Sequence, residues 1–340
     1  MQLSEFDFPF DSSLIATHPV VPRDQARLLV LHTRDQSLAH RSIKELPELV
    51  NPSDLLVVND TKVRAARVTG WKRPSGASIE MLFVKELSDH AWEVMVKGKL
   101  TPGQVIEVSP DAHVVVMARE ADRTTVRIET GGAVQEFFLV YGQMPLPQYI
   151  KRPPMDEDRE WYQTVFAKDE GAIAAPTAGL HFTPDLLERL ENRGVGLTAV
   201  TLHVGPGTFK PVTVDRIEDH RMGGEWIDVG PQAVQAIEQT RSKGGRVIAV
   251  GTTVVRALET AAQAQGQLRP YQGETNLFIV PGFPFKIVNA LLTNFHLPRT
   301  TLLMLVSALA GKPLLRQAYE EAVRARYRLY SYGDAMLVID

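Results

Sequence analysis

Two hydrophobic rhythms divide the chain. Between about residues 63 and 141, short alternating or β-branched runs recur: SIEMLFVKEL, AWEVMVKG, QVIEVSP, HVVVMARE, TTVRIET and VQEFFLVYG. Turn chemistry separates them at Pro74-Ser75-Gly76, Pro102-Gly103 and Gly131-Gly132. Five or six strands at this spacing, with no helix-length periodic segment, predict a small antiparallel barrel or sandwich. Pro145, Pro147, Pro153 and Pro154 then mark a stiff connector at its exit.

Outside that segment, strand and helix patterns alternate. LLVV (55–58) reads as a buried strand. Thr183-Pro184 opens a helix, with a cap followed by proline in the first turn, and Gly194 closes it. A strand LTAVTLHV (197–204), a helix from Pro231 to Gly244-Gly245, a strand RVIAV (246–250) and a helix over 252–265 follow. The stretch 300–328 also reads as helical. Such alternation predicts an α/β domain with a mixed, mainly parallel sheet covered by helices. Its expected extent is residues 1–60 and 150–340, with a small β-barrel domain inserted over 61–149.

Three of these strands end alike. After LLVV comes Asn59-Asp60-Thr61-Lys62, after Val204 comes Gly205-Pro206-Gly207-Thr208, and after RVIAV comes Gly251-Thr252-Thr253. In open α/β sheets the ligand crevice lies beyond the carboxyl ends of the strands. Glycine there lets backbone approach a ligand, and free N–H groups at a helix start suit a carboxylate or phosphate. Taken singly, each is equally an ordinary tight turn. GAIAAPTAGLHFT (171–183) and LLTNFHLPRTTLLM (291–304) are too rich in glycine, threonine and histidine for plain connectors. His181, His203 and His296 share this setting, and histidine moves protons well near neutral pH. His32, His40, His90 and His113 sit in strand-like or surface-like contexts and read as structural. No histidine pair has metal-ligand spacing on one helix, so no metal site is expected.

Composition narrows the chemistry. The 340 residues include no cysteine, which removes disulfides, thiolate zinc sites, cysteine nucleophiles and cysteine-held clusters. The longest strongly apolar stretch, 301–310, is well short of the ~20 residues that span a bilayer, and MQLSEFDFPF lacks a signal pattern. A cytoplasmic protein with no membrane contact, and a monomer, is expected. The formal charge of −3 gives no global attraction for nucleic acid, so a polyanion needs a local patch. Lys62, Arg64, Arg67, Lys72 and Arg73 cluster at the barrel entrance, and Lys151, Arg152 and Arg159 at its exit. Arg316, Arg324, Arg326 and Arg328, interleaved with Tyr319, Tyr327 and Tyr330, form a third group suited to phosphates and stacked bases. Any single one of these arginines fits a solvated helix face as well. A conventional methyltransferase needs a glycine-rich loop after its first strand, and Gly205-Pro206-Gly207 follows a late strand with the wrong spacing. A non-catalytic RNA-binding module would not need so many polar, glycine-rich loops at strand ends.

NDTKVRAARVTG (59–70), QTVFAKDEGAIAAPTAGLHFT (163–183), HVGPGTFKPV (203–212), VGTTVVRALE (250–259), TNLFIVPGF (275–283), LLTNFHLPRTTLLMLVSALAG (291–311) and YSYGDAML (330–337) carry a family likeness. In these seven ordered blocks the chain resembles the S-adenosylmethionine:tRNA ribosyltransferase-isomerases of queuosine biosynthesis. One block departs: His220-Arg221-Met222-Gly223-Gly224-Glu225 stands where the family pattern is His-x-Met-His-Ser-Glu, which removes a second histidine. The resemblance implies ribosyl transfer from S-adenosylmethionine, consumed as a substrate with no bound cofactor, to 7-aminomethyl-7-deazaguanine at the wobble position of tRNA. Adenine and methionine leave, and an epoxy-cyclopentanediol remains on the base. On this reading His203 or His181 is the base at the ribose carbon, with Asp60 or Glu225 assisting. Gly251, Thr252 and Thr253 hold the methionine carboxylate, and Lys62, Thr177, Gly179, Gly205, Gly207, Thr208, Asn294 and His296 complete the substrate site. Lys62 also joins Arg64, Arg67, Lys151, Arg152, Arg324 and Arg328 as expected tRNA contacts.

Overall fold

A computed structural model describes residues 1–8, 10–88, 90–120, 123–205 and 212–340. The strands are β1 (Arg27–His32), β2 (Ser37–Ser42), β3 (Leu55–Asn59), β4 (Thr61–Val63), β5 (Arg67–Lys72), β6 (Ser78–Ser88), β7 (Ala91–Val96), β8 (Val105–Ser109) and β9 (Ala112–Glu120). They continue as β10 (Arg123–Thr130), β11 (Asp169–Ala172), β12 (Gly196–Leu202), β13 (Glu225–Val229), β14 (Val247–Val250), β15 (Tyr271–Thr275), β16 (Ala290–Asn294) and β17 (Ala335–Ile339). The helices are α1 (Leu46–Leu49), α2 (Val134–Tyr141), α3 (Asp158–Trp161), α4 (Pro184–Asn192), α5 (Pro231–Ser242), α6 (Thr252–Ala264), α7 (Thr301–Ala310) and α8 (Lys312–Arg324).

The main sheet has nine strands in the order β15-β13-β12-β3-β14-β16-β17-β1-β2. Its centre, β12-β3-β14-β16, is parallel throughout. The flanks are mixed: β13 and β15 run antiparallel on one side, and β17 opposes β16 on the other. The central strands read as unbroken apolar runs because both sheet faces are covered. Leu55, Val57, Val247 and Ala249 pack on one side with apolar residues of α5, α6, α7 and α8. Leu56, Val58, Ile248 and Val250 pack on the other with Leu186 and Leu190 of α4. Thr183 caps α4 by accepting from Leu186 N, 3.2 Å away.

Strands β5–β10 close into an antiparallel barrel, in the order β10-β7-β6-β5-β8-β9. Its inner residues alternate along each strand, as in Val68, Met81, Phe83, Trp92 and Val94. VQEFFLVYG, read above as a strand-like run, is instead the helix α2. Val134, Phe137 and Phe138 face the barrel core while Leu139 and Val140 stand exposed, a helical rather than alternating pattern. Entrance and exit of the barrel are joined directly, because Arg67 and Gln143 exchange backbone hydrogen bonds of 3.1 and 2.8 Å. The C-terminal aromatics also differ from expectation. Tyr319 and Tyr327 are buried in the main core and so are unavailable to stack on a base.

The connector after the barrel is pinned by one buried carboxylate. Asp158 accepts from Arg152 Nη1 and Nη2, both at 2.7 Å, from Met155 N at 2.8 Å and from the Tyr332 hydroxyl at 3.0 Å. Removing one partner of a buried ion pair strands the other charge. Arg152→Ala is therefore expected to cost about 3–5 kcal/mol of folding stability, read by chemical denaturation. Lys151→Ala, at an exposed position, is expected to change it by less than about 0.5 kcal/mol.

Candidate functional site

Because β12, β3, β14 and β16 are parallel neighbours, their carboxyl ends share one edge. Along that edge stand His203, Asp60, Gly251 and the pair Asn294 and His296. Adjacent strands lie about 4.8 Å apart, so the edge from β12 to β16 spans about 14 Å.

The β12 end carries the proton chemistry. His203 Nδ1 lies 2.8 Å from Thr61 Oγ1, and the ring stacks on Trp226 with centroids 5.0 Å apart. Gly171 gives the ring its room: a Cβ there would come within 2.6 Å of His203 Nε2. Burial pushes the His203 pKa down, with Asp169 pulling it up and Arg64 pushing it down. Beside it, Asp60 Oδ1 accepts from Thr201 Oγ1 at 2.7 Å. Burial raises the Asp60 pKa above its ordinary value, which the Thr201 bond opposes and neighbouring Asp169 reinforces. Glu225 is held differently. It takes both a buried ion pair with Arg256 and the Gly205 N–H at 3.0 Å.

The β14 and β16 end forms two narrow, contiguous clefts that share Thr177, His296 and Leu302. Gly251, with φ +98°, turns the chain into α6 in a left-handed conformation that suits glycine. Gly251, Thr252 and Thr253 line one cleft, and Thr300, the side-chain cap of α7, lines the other. Two helix amino termini therefore meet this crevice, an arrangement that favours a negatively charged group. His296 Nε2 bonds Thr293 Oγ1 at 2.9 Å, while its backbone N–H donates to the Tyr319 hydroxyl at 2.7 Å. His181 Nε2 lies 3.3 Å from the Asn294 amide nitrogen. Gly179 is buried in the tight turn Thr177–His181.

Gly207 and Thr208 lie outside the described residues. The candidate RNA contacts separate into two groups. Lys62 and Arg64 line a cavity of about 260 Å³ with Trp92, Phe138, Arg159 and Glu170, and Lys151 is exposed. Arg324 is exposed and pairs with Glu321. Arg67, Arg152 and Arg328 instead turn inward, donating to the Leu146 carbonyl, to Asp158 and to the His18 carbonyl. A roomier depression around Arg27, His40 and Lys44 lies on the β1–β2 side, away from the parallel tips. Among the described residues no cluster of three or more His, Asp or Glu side chains is placed to hold a metal, and no helix is long and apolar enough to cross a membrane.

The roles of several site residues were not visible in the sequence. Asn59 and Thr61 stood out only as part of a strand-end run, and Arg256 lay inside a quoted block with nothing in its spacing to mark it. Trp226 and Thr201 carried no signal at all.

Burial holds His181 near pKa 4, helped by Arg23 and Arg328, and holds His296 near 3. Both are neutral in the folded protein above those values, whereas the unfolded chain takes up protons below about 6.5. Their stabilising effect is complete above that pH and is lost as pH falls toward 4. Stability should drop by ~1.4 kcal/mol per pH unit for each histidine across this window. The difference between wild type and His296→Asn in denaturant midpoints from pH 7 to 5 checks the slope.

Residues 3–338 match the family model described as queuosine biosynthesis protein. The S-adenosylmethionine:tRNA ribosyltransferase-isomerase of Desulforamulus reducens is 47% identical over 350 residues, covering 100% of both chains. The protein of that name from Aquifex aeolicus is 46% identical over 341 residues, again covering 100% of each. Among solved structures, an S-adenosylmethionine tRNA ribosyltransferase from Thermotoga maritima aligns over 99% of this chain and 100% of its own, at 38% identity and TM-score 0.58. With a match over nearly every residue and relatives of equal length, the chain belongs to the queuosine biosynthesis protein family.

Proposed function

We propose that this protein is an S-adenosylmethionine:tRNA ribosyltransferase-isomerase. On this reading it moves the ribosyl unit of S-adenosylmethionine onto 7-aminomethyl-7-deazaguanine at the tRNA wobble position. Epoxyqueuosine forms, and adenine and methionine are released. The observation that carries the reading is the strand-tip edge, where a shielded neutral histidine and a carboxyl group precede a double helix amino terminus. The names of the full-length relatives support it.

The reaction needs a base at the ribose carbon next to the sulfonium, in a site poor in water. Of the two histidines considered, His203 suits the role better. Thr61 Oγ1 lies 3.5 Å from the Asp169 carbonyl, to which it donates. Its oxygen then accepts from His203 Nδ1–H, leaving the lone pair on Nε2. His181 has its Nε2 lone pair facing the Asn294 amide N–H, so that lone pair is occupied. Asp60, whose pKa burial raises above its ordinary value, is the assisting group. Glu225 is committed to Arg256 and Gly205 and serves to shape the loop after β12. Gly251, Thr252 and Thr253 take the methionine carboxylate, and Lys62 and Arg64 take RNA phosphates at the barrel junction.

The decisive assay mixes protein, S-adenosylmethionine and an anticodon stem-loop carrying the aminomethyl base. Free adenine and a heavier nucleoside should appear together, whereas labelled methyl on the RNA would sink the proposal. His203→Ala should cut turnover by roughly two orders of magnitude. Gly171→Ala, which touches His203 alone of the proton-transfer groups, should do comparable damage while leaving thermal stability near normal. With its pKa depressed, His203 is competent when neutral, so kcat/KM should hold from pH 8 to 7 and fall on the acid side. That limb's midpoint should lie below the ordinary histidine value of about 6.5.

A further inference from the structure

At the β16 end of the crevice, one buried acceptor is left over. Asn294 is 2% exposed and lines the cleft with Tyr149, Tyr330 and Ser331. The Tyr330 carbonyl can only accept, so the Asn294 amide nitrogen faces it, at 2.9 Å. The same nitrogen reaches His181 Nε2 at 3.3 Å. Both N–H groups are thereby used and the amide cannot turn over. Its Oδ1 is left buried with no hydrogen-bond partner. Buried polar atoms are rarely left so without a reason, and a missing ligand is one. The neighbouring wall is aromatic, with the Tyr149 and Tyr330 rings 3.9 Å apart and the Tyr149 hydroxyl anchored to Ser331 Oγ at 2.5 Å.

We propose that this end of the crevice is the purine subsite for the ribosyl donor. Adenine rests against the Tyr330 side and gives an N–H of its exocyclic amine to Asn294 Oδ1. The inference rests on the ribosyl-transfer reading above and adds the residue that identifies the base. Two observations favour the donor's adenine over a base of the RNA. First, this cleft shares Thr177, His296 and Leu302 with the cleft at the α6 amino terminus, so a purine here would lie next to a carboxylate there. Second, the basic groove that suits RNA opens at the other end of the edge, by Lys62 and Glu170. His181 acts here as a positioning residue: by accepting from the amide nitrogen it keeps Oδ1 turned to the ligand.

Calorimetric titration of the full-length protein, saturated with the acceptor stem-loop, tests this. The probes are S-adenosylhomocysteine and S-inosylhomocysteine, its deaminated counterpart, which carries an oxygen in place of the amine. Wild type should prefer the adenosyl compound by at least about ten-fold, since a site built for an N–H donor rejects an analogue lacking it. Asn294→Leu should bind the two within about two-fold of each other, and Asn294→Ala repeats the test should the leucine variant not fold. Equal binding of both probes by wild type overturns the subsite and leaves ribosyl transfer standing. Preference that survives in the folded variants also overturns it, because the amine is then read elsewhere. If neither probe binds, the donor reading and the subsite fall together.

Discussion

The amide of Asn59 is the joint on which the crevice depends. At the end of β3, Oδ1 accepts from the Thr61 N–H and the Leu202 N–H, each at 3.1 Å. Nδ2 donates to the Leu202 carbonyl at 3.0 Å and to Thr253 Oγ1 at 3.3 Å. Every bonding position of one buried side chain is used, and together they tie down three walls. Thr61 orients His203, Leu202 directly precedes it, and Thr253 opens α6. An apolar residue of the same size would leave several buried backbone groups unsatisfied, at about 1–3 kcal/mol each.

From that joint the electrostatics follow. A histidine held in a dry, close-packed place stays neutral, and a carboxyl there rises in pKa. His181, His203 and His296 shift down and Asp60 shifts up for this shared reason. Glu225 is instead paired with Arg256, which is itself held by the Leu277 and Thr275 carbonyls. The edge thus pairs a histidine shifted down and a carboxyl group shifted up at one end with fixed positive dipoles at the other. A donor that is anionic at its carboxylate and cationic at its sulfur fits such a gradient in one orientation.

What the sequence revealed was whatever hydrophobic rhythm encodes. LLVV, RVIAV and the glycines and threonines after them fall on one shared edge, since strand ends in a parallel sheet must align. The barrel was legible from its alternating runs up to VQEFFLVYG, where β-branched and aromatic composition masked a helical 3–4 spacing. Charge was far less legible. Arg152 and Arg67 looked like a basic surface in one dimension, yet their heads find Asp158 and the Leu146 carbonyl, contacts made across the fold. Tyr319 and Tyr327 misled for the same reason: arginine–tyrosine interleaving along the chain cannot show which side chains meet the core. The role of Asn59 was invisible because its partners lie 143 and 194 positions away.

The position of the barrel has a physical logic. β3 is central and pairs on both sides, with β12 and β14, so its tip is fixed more firmly than an edge strand's. An insertion launched from that tip leaves through β4, which pairs with β11 in the register Thr61↔Asp169 and Lys62↔Glu170. Those residues orient His203 on one side and line the barrel groove on the other. The groove between barrel and body and the histidine are thus joined through one short strand pair. Were the barrel inserted after β14 instead, the helix amino terminus there would be covered, and the crevice would lose the dipole suited to a carboxylate. Placing the insertion one strand over keeps both functions on one edge, which is what a reaction between a small charged donor and a large nucleic acid requires.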